Sequence, residues 1–387
     1  MVDAHIVGWG HTKFGRLDGQ SLENLIVAAA REAIGHAGID PALIDGIWLG
    51  HFNNGMVGDG FAASLALQVD DALRFKPATR LENACASGSA AIYAARSAIR
   101  AGEARVALVI GVEKMTGMDT AGVTRALGGA AYQAEEADIG FPEVFARFAR
   151  AYFQANGDQT EVLARIAVKN HLNALSNPLA HLRKALDLEF CVAESAKNPV
   201  VADPLKVTDC SLISDGAAAV VMVADDLSRD FPQAVRFRGA VQVNDYLPMS
   251  RRDLLAFSGP AEAFRRAYAQ AGIEVWDLDF AEVHDCFTIA ELLVYEAMGL
   301  TSQGQGRRAI EDGIVLANGR LPVNLSGGLK AKGHPVGATG VSMHVVAARQ
   351  LSCQAGAFQK QGAALGCVFN MGGSGVANYC SILEPAR

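Results

Sequence analysis

The stretch Asn83-Ala-Cys-Ala-Ser-Gly-Ser-Ala-Ala-Ile-Tyr-Ala-Ala-Arg96, followed by the apolar run Val106-Ala-Leu-Val-Ile-Gly-Val112, decides the reading of the fold. Its small-residue periodicity predicts a buried helix over Ser87–Arg100, and the apolar run predicts a strand over Arg105–Val112 that is covered on both faces. The same order returns later in the chain. Asn324-Leu-Ser-Gly-Gly328 precedes a Gly-rich loop, a helix over Ser342–Leu351 containing Ala347-Ala-Arg349, and a buried strand over Ala364–Phe369. Upstream of each copy lies a further match. Ala37-Gly-Ile-Asp40 closes one helix and leads to a strand at Ile44–Leu49, while Ala271-Gly-Ile-Glu274 closes the helix Ala261–Gly272 and leads to a strand at Asp279–Val283. A repeat this long is a duplicated domain rather than a solenoid. Strands alternating with helices predict an α/β class with mainly parallel sheets. Two such halves, packed pseudo-symmetrically, leave room for a site between them.

The rest of the chain extends this frame. A strand opens at Ala4–Gly8, then Ser21 caps a helix over Leu25–Ala37 that Gly38 ends. From Met115 to Lys206 the strand signal stops, and charged helical segments appear at Pro142–Ala155 and Thr160–Ala174. The strand pattern resumes at Asp215–Val223. The expected organisation is therefore a first half over 1–230, with 115–206 inserted in it, and a second half over 231–387.

Composition removes several function classes. The chain has 387 residues, 50% of them hydrophobic and 19% charged, which is too apolar for disorder. Its net charge of −7 argues against a nucleic-acid backbone as partner. No apolar run reaches the ~18 residues of a membrane span, and the first residues lack the pattern of a signal peptide. Seven scattered cysteines without a CxxC pair suggest a reduced, cytoplasmic setting and no zinc site. The last residues, Leu-Glu-Pro-Ala-Arg387, carry no peroxisomal tripeptide, which agrees with a cytoplasmic expectation.

Four segments could carry chemistry. Cys85 stands just before a helix, where backbone N–H groups and the helix dipole would favour a thiolate. A cysteine there is also readable as a small buried hydrophobe. His334, in Lys332-Gly-His-Pro-Val-Gly-Ala-Thr-Gly340, is pushed out of helical backbone by Pro335. It suits a fixed general base or oxyanion donor, or an ordinary loop position. The glycines and lysines around it lack the GxxxxGK[ST] order of a phosphate loop. His284-Asp-Cys-Phe287 follows a strand and precedes a helix over Ile289–Gly299, at the strand end where α/β sheets bind ligands. Cys286 there could supply a second acid/base, and Asp285 could equally be a cap. Asn370-Met-Gly-Gly-Ser-Gly375 offers bare backbone N–H groups, suited to an oxyanion hole or to a tight turn. There is no GxGxxG after a strand, no GxSxG elbow and no metal-ligand spacing.

Together and in this order, these segments resemble the thiolase superfamily over essentially the whole chain. The Cys85 segment is similar to its nucleophile loop, Gly333–Gly340 to its GHP loop, and Asn370–Gly375 to its last Gly-rich loop. Ser211-Leu-Ile-Ser-Asp-Gly-Ala-Ala-Ala219 resembles the segment before the last strand of its first half. His284-Asp-Cys-Phe replaces the common Asn-Glu-Ala-Phe, as in sterol-carrier-protein-2-type thiolases and related acetyltransferases. The resemblance implies two βαβαβαββ halves in a layered αβαβα arrangement, with a helical loop subdomain inserted in the first.

It also implies site roles. Cys85 would be the acyl-carrying nucleophile and His334 its base. Cys286 would be the acid/base, because the last loop reads Phe369-Asn-Met-Gly-Gly without a cysteine. The backbone N–H groups of Cys85 and Gly373 would form one oxyanion hole, and His334 with His284 the other. Ser211 would meet the pantetheine of CoA, which is a substrate, with no bound cofactor and no metal. Cys367, upstream in its strand, reads as structural. The activity implied is cleavage of a 3-ketoacyl-CoA by CoA, or the reverse Claisen condensation, in lipid metabolism. Rival readings are acyl transfer to a non-CoA acceptor, retro-aldol cleavage of a steroid side chain, and a non-catalytic acyl-CoA-binding subunit. The family implies a homodimer or homotetramer, and some relatives work with a small OB-fold partner.

Overall fold

The computed structural model describes residues 3–137 and 139–387. Five strands of the first part are β1 (Ala4–His11), β2 (Gly46–Gly50), β3 (Ala78–Leu81), β4 (Val106–Glu113) and, after a small hairpin of β5 (Val200–Ala202) and β6 (Leu205–Lys206), β7 (Gly216–Ala224). The later strands are β8 (Val235–Asn244), β9 (Phe280–Val283), β10 (Gly366–Gly372) and β11 (Ala377–Pro385). They form one nine-stranded sheet in the order β3-β2-β4-β7-β1-β8-β11-β10-β9. The seam between its two groups is short: β1 meets β8 only at His5–Arg236 and Ile6–Val235.

The sheet is not mainly parallel, contrary to the expectation from alternating strands and helices. Among the described residues, only the strand pairs β2/β3, β2/β4 and β9/β10 are parallel. The β10–β11 connection, Gly373–Val376, is too short for a crossover and must turn back as a hairpin. β7 likewise enters antiparallel between β4 and β1.

Helices cover the sheet in layers. α1 (Leu22–Ala37) packs on β1, β7 and β4, with Leu25, Ile26 and Ala29 buried against Val106, Leu108 and Val221. Ser21 caps it through its side chain, which accepts from Asn24 N at 3.0 Å, and Gly38 ends it with φ of 67°. On the opposite face of those strands lie α2 (Ser87–Ala101) and, at the far end of the chain, a helix spanning Val336–Leu351. The stretch after β4 supplies α3 (Thr120–Gly128), α4 (Phe141–Asn156) and α5 (Thr160–Ala174). The β5–β6 hairpin shows that this region is not wholly helical, as its polar composition had suggested. α6 (Ser258–Ala271) covers β8 and β11, and α7 (Thr288–Ala297) packs beside it. The Val336–Leu351 helix is α8. It touches β4, β7 and β10, while Tyr93 of α2 donates to Cys380 O of β11 at 2.9 Å. α2 and α8 are thus the central layer between the two groups of strands.

α8 begins six residues before the predicted Ser342, because Gly337–Gly340 is helical. Glycine is a poor helix former, yet here close packing requires it. A Cβ on Gly88 would lie 2.8 Å from both Gly337 O and Val341 N, and one on Gly340 would lie 2.3 Å from Ser89 N. The first turns of α2 and α8 therefore touch backbone to backbone. Gly88→Ala should lower the unfolding free energy by about 3 kcal/mol, because the obstructing atoms are main chain and cannot rotate away. Urea denaturation would read the loss.

Candidate active site

The glycine contact joins two loops. Cys85 ends the turn before α2, where Ala84 has φ of 50° and Ser87 Oγ donates to Ala84 O at 2.6 Å. His334 ends the turn before α8 and follows a π-turn at Gly328–Lys332, an irregularity often found at functional sites. Buried Glu113, at the end of β4, ties the start of α8 to the loop at Phe52. It accepts from Phe52 N, Asn53 N and Gly337 N, each at 3.0 Å, and has His51 Nε2 at 3.0 Å. Asp215, at the start of β7, accepts from Lys114 Nζ, Met115 N and Thr116 N, which pins the chain leaving β4.

His334 is buried. Its Nδ1 lies 2.7 Å from Thr339 Oγ1, and that hydroxyl has the Pro335 carbonyl at 3.1 Å to donate to. The Thr339 oxygen then accepts from Nδ1–H, which leaves the lone pair on Nε2, an atom buried without a partner among the described residues. Burial and the Lys332 ammonium push the imidazole pKa down to about 3, so the ring is neutral. His334 is therefore an uncharged ring with an unprotonated Nε2.

The Cys85 thiol is pushed up to about 12 by burial, while the N–H groups of Gly373 and of Cys85 itself pull the other way. The expectation that the helix start would hold a thiolate is therefore corrected: desolvation outweighs the backbone dipoles. The N–H of Gly373, a residue with φ of 63°, reaches the Cys85 thiol, and Gly373 and Ala84 line an adjoining open cavity of about 610 Å³.

Cys286 and His284 enter from the β9 end. Cys286 O accepts from Ser211 N at 2.9 Å, and Cys210 bridges Phe287, so the Ser211 segment runs beside the Cys286 loop. Burial, then Cys85 and Asp285, hold the Cys286 thiol well above its ordinary range. Cys85, Cys286, His334 and Ser211 all line one cavity of about 260 Å³, whose other walls include Phe52, Phe141 and Ile213. His284 lies behind that wall, fully buried, its ring edge-on to His334 at 5.1 Å. Burial and His334 hold it well below its ordinary pKa. Cys85, His284 and His334 each bring one donor atom within 4.8 Å of the others, a convergence that spacing along the chain did not reveal.

Asp285 turns away from the cavity. It accepts from Leu329 N at 2.6 Å, Lys330 N at 3.1 Å and Asn170 Nδ2 at 2.8 Å, so it anchors the loop as a cap would. Burial and Glu291 raise its carboxyl to about 7. Cys367 packs 3.8 Å from Cys380 inside the sheet and lines neither cavity. Sequence reasoning passed over the side chains of Asn370, Thr339 and Glu113. For Asn370 and Glu113 the available signal was a polar residue late in a wholly buried strand, as in Gly366–Gly372 and Val106–Glu113.

Residues 4–226 match the thiolase N-terminal domain and residues 240–385 the thiolase C-terminal domain-like family. The chain belongs to the thiolase family. An acetyl-CoA acetyltransferase of Methanothermobacter thermautotrophicus is 37% identical over 379 residues, 97% of each chain. Sterol carrier protein 2 of Oryctolagus cuniculus is 29% identical over 400 residues, covering 96% of this chain and 70% of that protein. The solved structure of an Ltp2-ChsH2(DUF35) aldolase matches with a TM-score of 0.85 at 25% identity, covering 100% of this chain and 98% of that one. The chain is accordingly an enzyme of the thiolase type, an acyltransferase with CoA as a substrate. Among the described residues, no helix is long and apolar enough to cross a membrane.

The raised Cys85 pKa has a direct readout. Iodoacetamide alkylation of Cys85, followed by peptide mass spectrometry, should accelerate steadily from pH 7 to pH 10, by about tenfold per unit. Thiolate is scarce throughout this range when the folded pKa is about 12. A plateau near neutral pH would instead reveal a preformed thiolate–imidazolium pair.

Proposed function

We propose that this thiolase exchanges acyl groups between CoA and a 3-ketoacyl-CoA through an acyl-Cys85 intermediate. The observation that carries this is the opening of Cys85, Cys286 and the neutral His334 onto one cavity beside Ser211. His334 Nε2 takes the Cys85 proton as the sulfur attacks the 3-keto carbon. The C2–C3 bond then breaks, and its electron pair leaves as the acetyl-CoA enolate. Cys286 S–H protonates that enolate, and the Cys286 thiolate next takes the proton of incoming CoA. The CoA thiolate attacks the acyl-Cys85 thioester and releases the acyl-CoA. His334 returns its proton to Cys85. One barrier is thereby divided into two smaller ones.

The two oxyanions have different hosts in this reading. The N–H groups of Cys85 and Gly373 receive the tetrahedral intermediate at Cys85. His334, once protonated, and His284 receive the enolate oxygen, directly or through water. Such donors are worth about 3–4 kcal/mol each. Ser211 meets the pantetheine arm.

The same reading divides the chain into halves at 1–230 and 231–387, with 115–206 as the inserted subdomain. It makes the protein a cytoplasmic homodimer or homotetramer of lipid metabolism. The likeness to the Ltp2-ChsH2(DUF35) aldolase supports a second reading, retro-aldol cleavage with a small OB-fold partner. A retro-aldol step needs no nucleophilic thiol, so the presence of both Cys85 and Cys286 in the cavity favours the thiolase reaction.

Three variants test these roles. Cys85→Ala should lose both the acetyl adduct formed with acetyl-CoA, seen by mass spectrometry, and at least about 10⁴-fold in thiolysis rate. Retained turnover would remove the nucleophile assignment and favour the aldolase. Cys286→Ala should still acetylate Cys85 while carbon–carbon turnover falls by about 10²–10⁴-fold. Cys367→Ala should leave both readouts as in the unaltered protein; a loss matching that of Cys286→Ala would move the acid role to Cys367.

A further inference from the structure

Asn370 ends the apolar stretch of β10 as a fully buried amide. Its Nδ2 lies 3.2 Å from Cys85 O and 2.9 Å from His284 Nδ1, and its Oδ1 accepts from Ser89 Oγ at 2.7 Å. A backbone carbonyl can only accept, so the Cys85 contact identifies the NH₂ end of the amide. That NH₂ has only hydrogens to offer, so the Nδ1 of His284 facing it must carry the lone pair. The deep burial that keeps this ring neutral leaves it one proton, which therefore sits on Nε2. His284 Nε2 is buried without a protein partner among the described residues. An orphaned N–H inside a protein is costly and calls for a function.

We propose that Asn370 is a positioning residue that holds His284 as an Nε2–H donor, the tautomer opposite to that of His334. One imidazole then presents a hydrogen and its neighbour a lone pair within a single cluster. The use of that hydrogen on an enolate oxygen rests on the function proposed above; the tautomer itself does not. The same contact bears on metals. Cys85, His284 and His334 have a spacing that a zinc ion would accept. A zinc-bound Nε2, however, requires a protonated Nδ1 backed by an acceptor. Asn370 presents a donor at that place, so it also turns the cluster away from zinc.

The test begins with the unaltered protein labelled with ¹⁵N-histidine. Long-range ¹H–¹⁵N spectra should show the His284 proton on Nε2, the signal being assigned by its loss in His284→Asn. A proton on Nδ1 would overturn the proposal. Asn370→Asp replaces the donor by a carboxylate that accepts from Nδ1–H and bares Nε2. Zinc chloride, titrated against a competing fluorescent indicator, should then bind at least about tenfold more tightly than to the unaltered protein. Unchanged zinc affinity in folded Asn370→Asp would also overturn it. If that variant does not fold, the tautomer spectrum of the unaltered protein decides alone. Neither readout needs turnover, so failure of the thiolase reading would show separately, as the absence of an acetyl adduct on Cys85.

Discussion

The contact on which the rest of the site depends is the one between the first turns of α2 and α8. A side chain at Gly88 or Gly340 would collide with main-chain atoms of the opposite helix. Their absence lets two helices from distant parts of the chain meet at their N-termini, and each carries a reactive residue just ahead of its first turn. Cys85 and His334 lie far apart in the sequence, one in each half of the chain, yet they line one cavity because of that approach. Glu113 adds a second tie by holding Gly337 N to the loop at Phe52. The sheet supplies the frame, and the short seam at His5 and Ile6 joins its two groups of strands.

Deep burial gives the site its electrostatic character. Both thiols are raised and both imidazoles lowered, so the resting cluster holds no net charge on Cys85, Cys286, His284 or His334. In the proposed mechanism ions therefore exist only during reaction, as protons pass between neighbours. In such a medium a fixed dipole is worth more than in water, and a misplaced one is correspondingly harmful. This is why the hydrogen-bond partners of the two rings matter. Thr339 and Asn370 touch no thiol, but they determine which ring nitrogen carries a hydrogen.

Much of this was legible in the sequence, for physical reasons that can be named. Thr160–Ala174 and Ser87–Arg100 were readable because apolar residues recur at helical spacing, and Ser21 and Gly38 because capping has its own chemistry. The nucleophile, GHP and His284–Phe287 loops were readable because they stand beside Gly, Pro or strand ends. The start of α8 was not, since helix propensity argues against Gly337–Gly340 and only the neighbouring helix explains it. Nor was strand direction: a local pattern cannot say that β7 returns antiparallel between β4 and β1. The thiol pKa was misjudged because the dipole of a helix start is a local feature, whereas desolvation is a property of the whole enclosure. Asn370, Thr339 and Glu113 were hidden for a similar reason, because their partners lie in other loops.

The β10–β11 hairpin links two functions mechanically. Asn370 stands near the end of its first strand, and Gly373 begins the turn that follows. One serves the imidazole behind the cavity, and the other points its N–H at Cys85. The hairpin is thus a common lever for the two contacts, and a displacement of the turn would disturb them together. Under the proposed mechanism, attempts to alter the balance between bond-making and acyl release have little independent purchase there. The Cys286 loop is the separate handle, since it hangs from β9 and leans on the Ser211 segment instead.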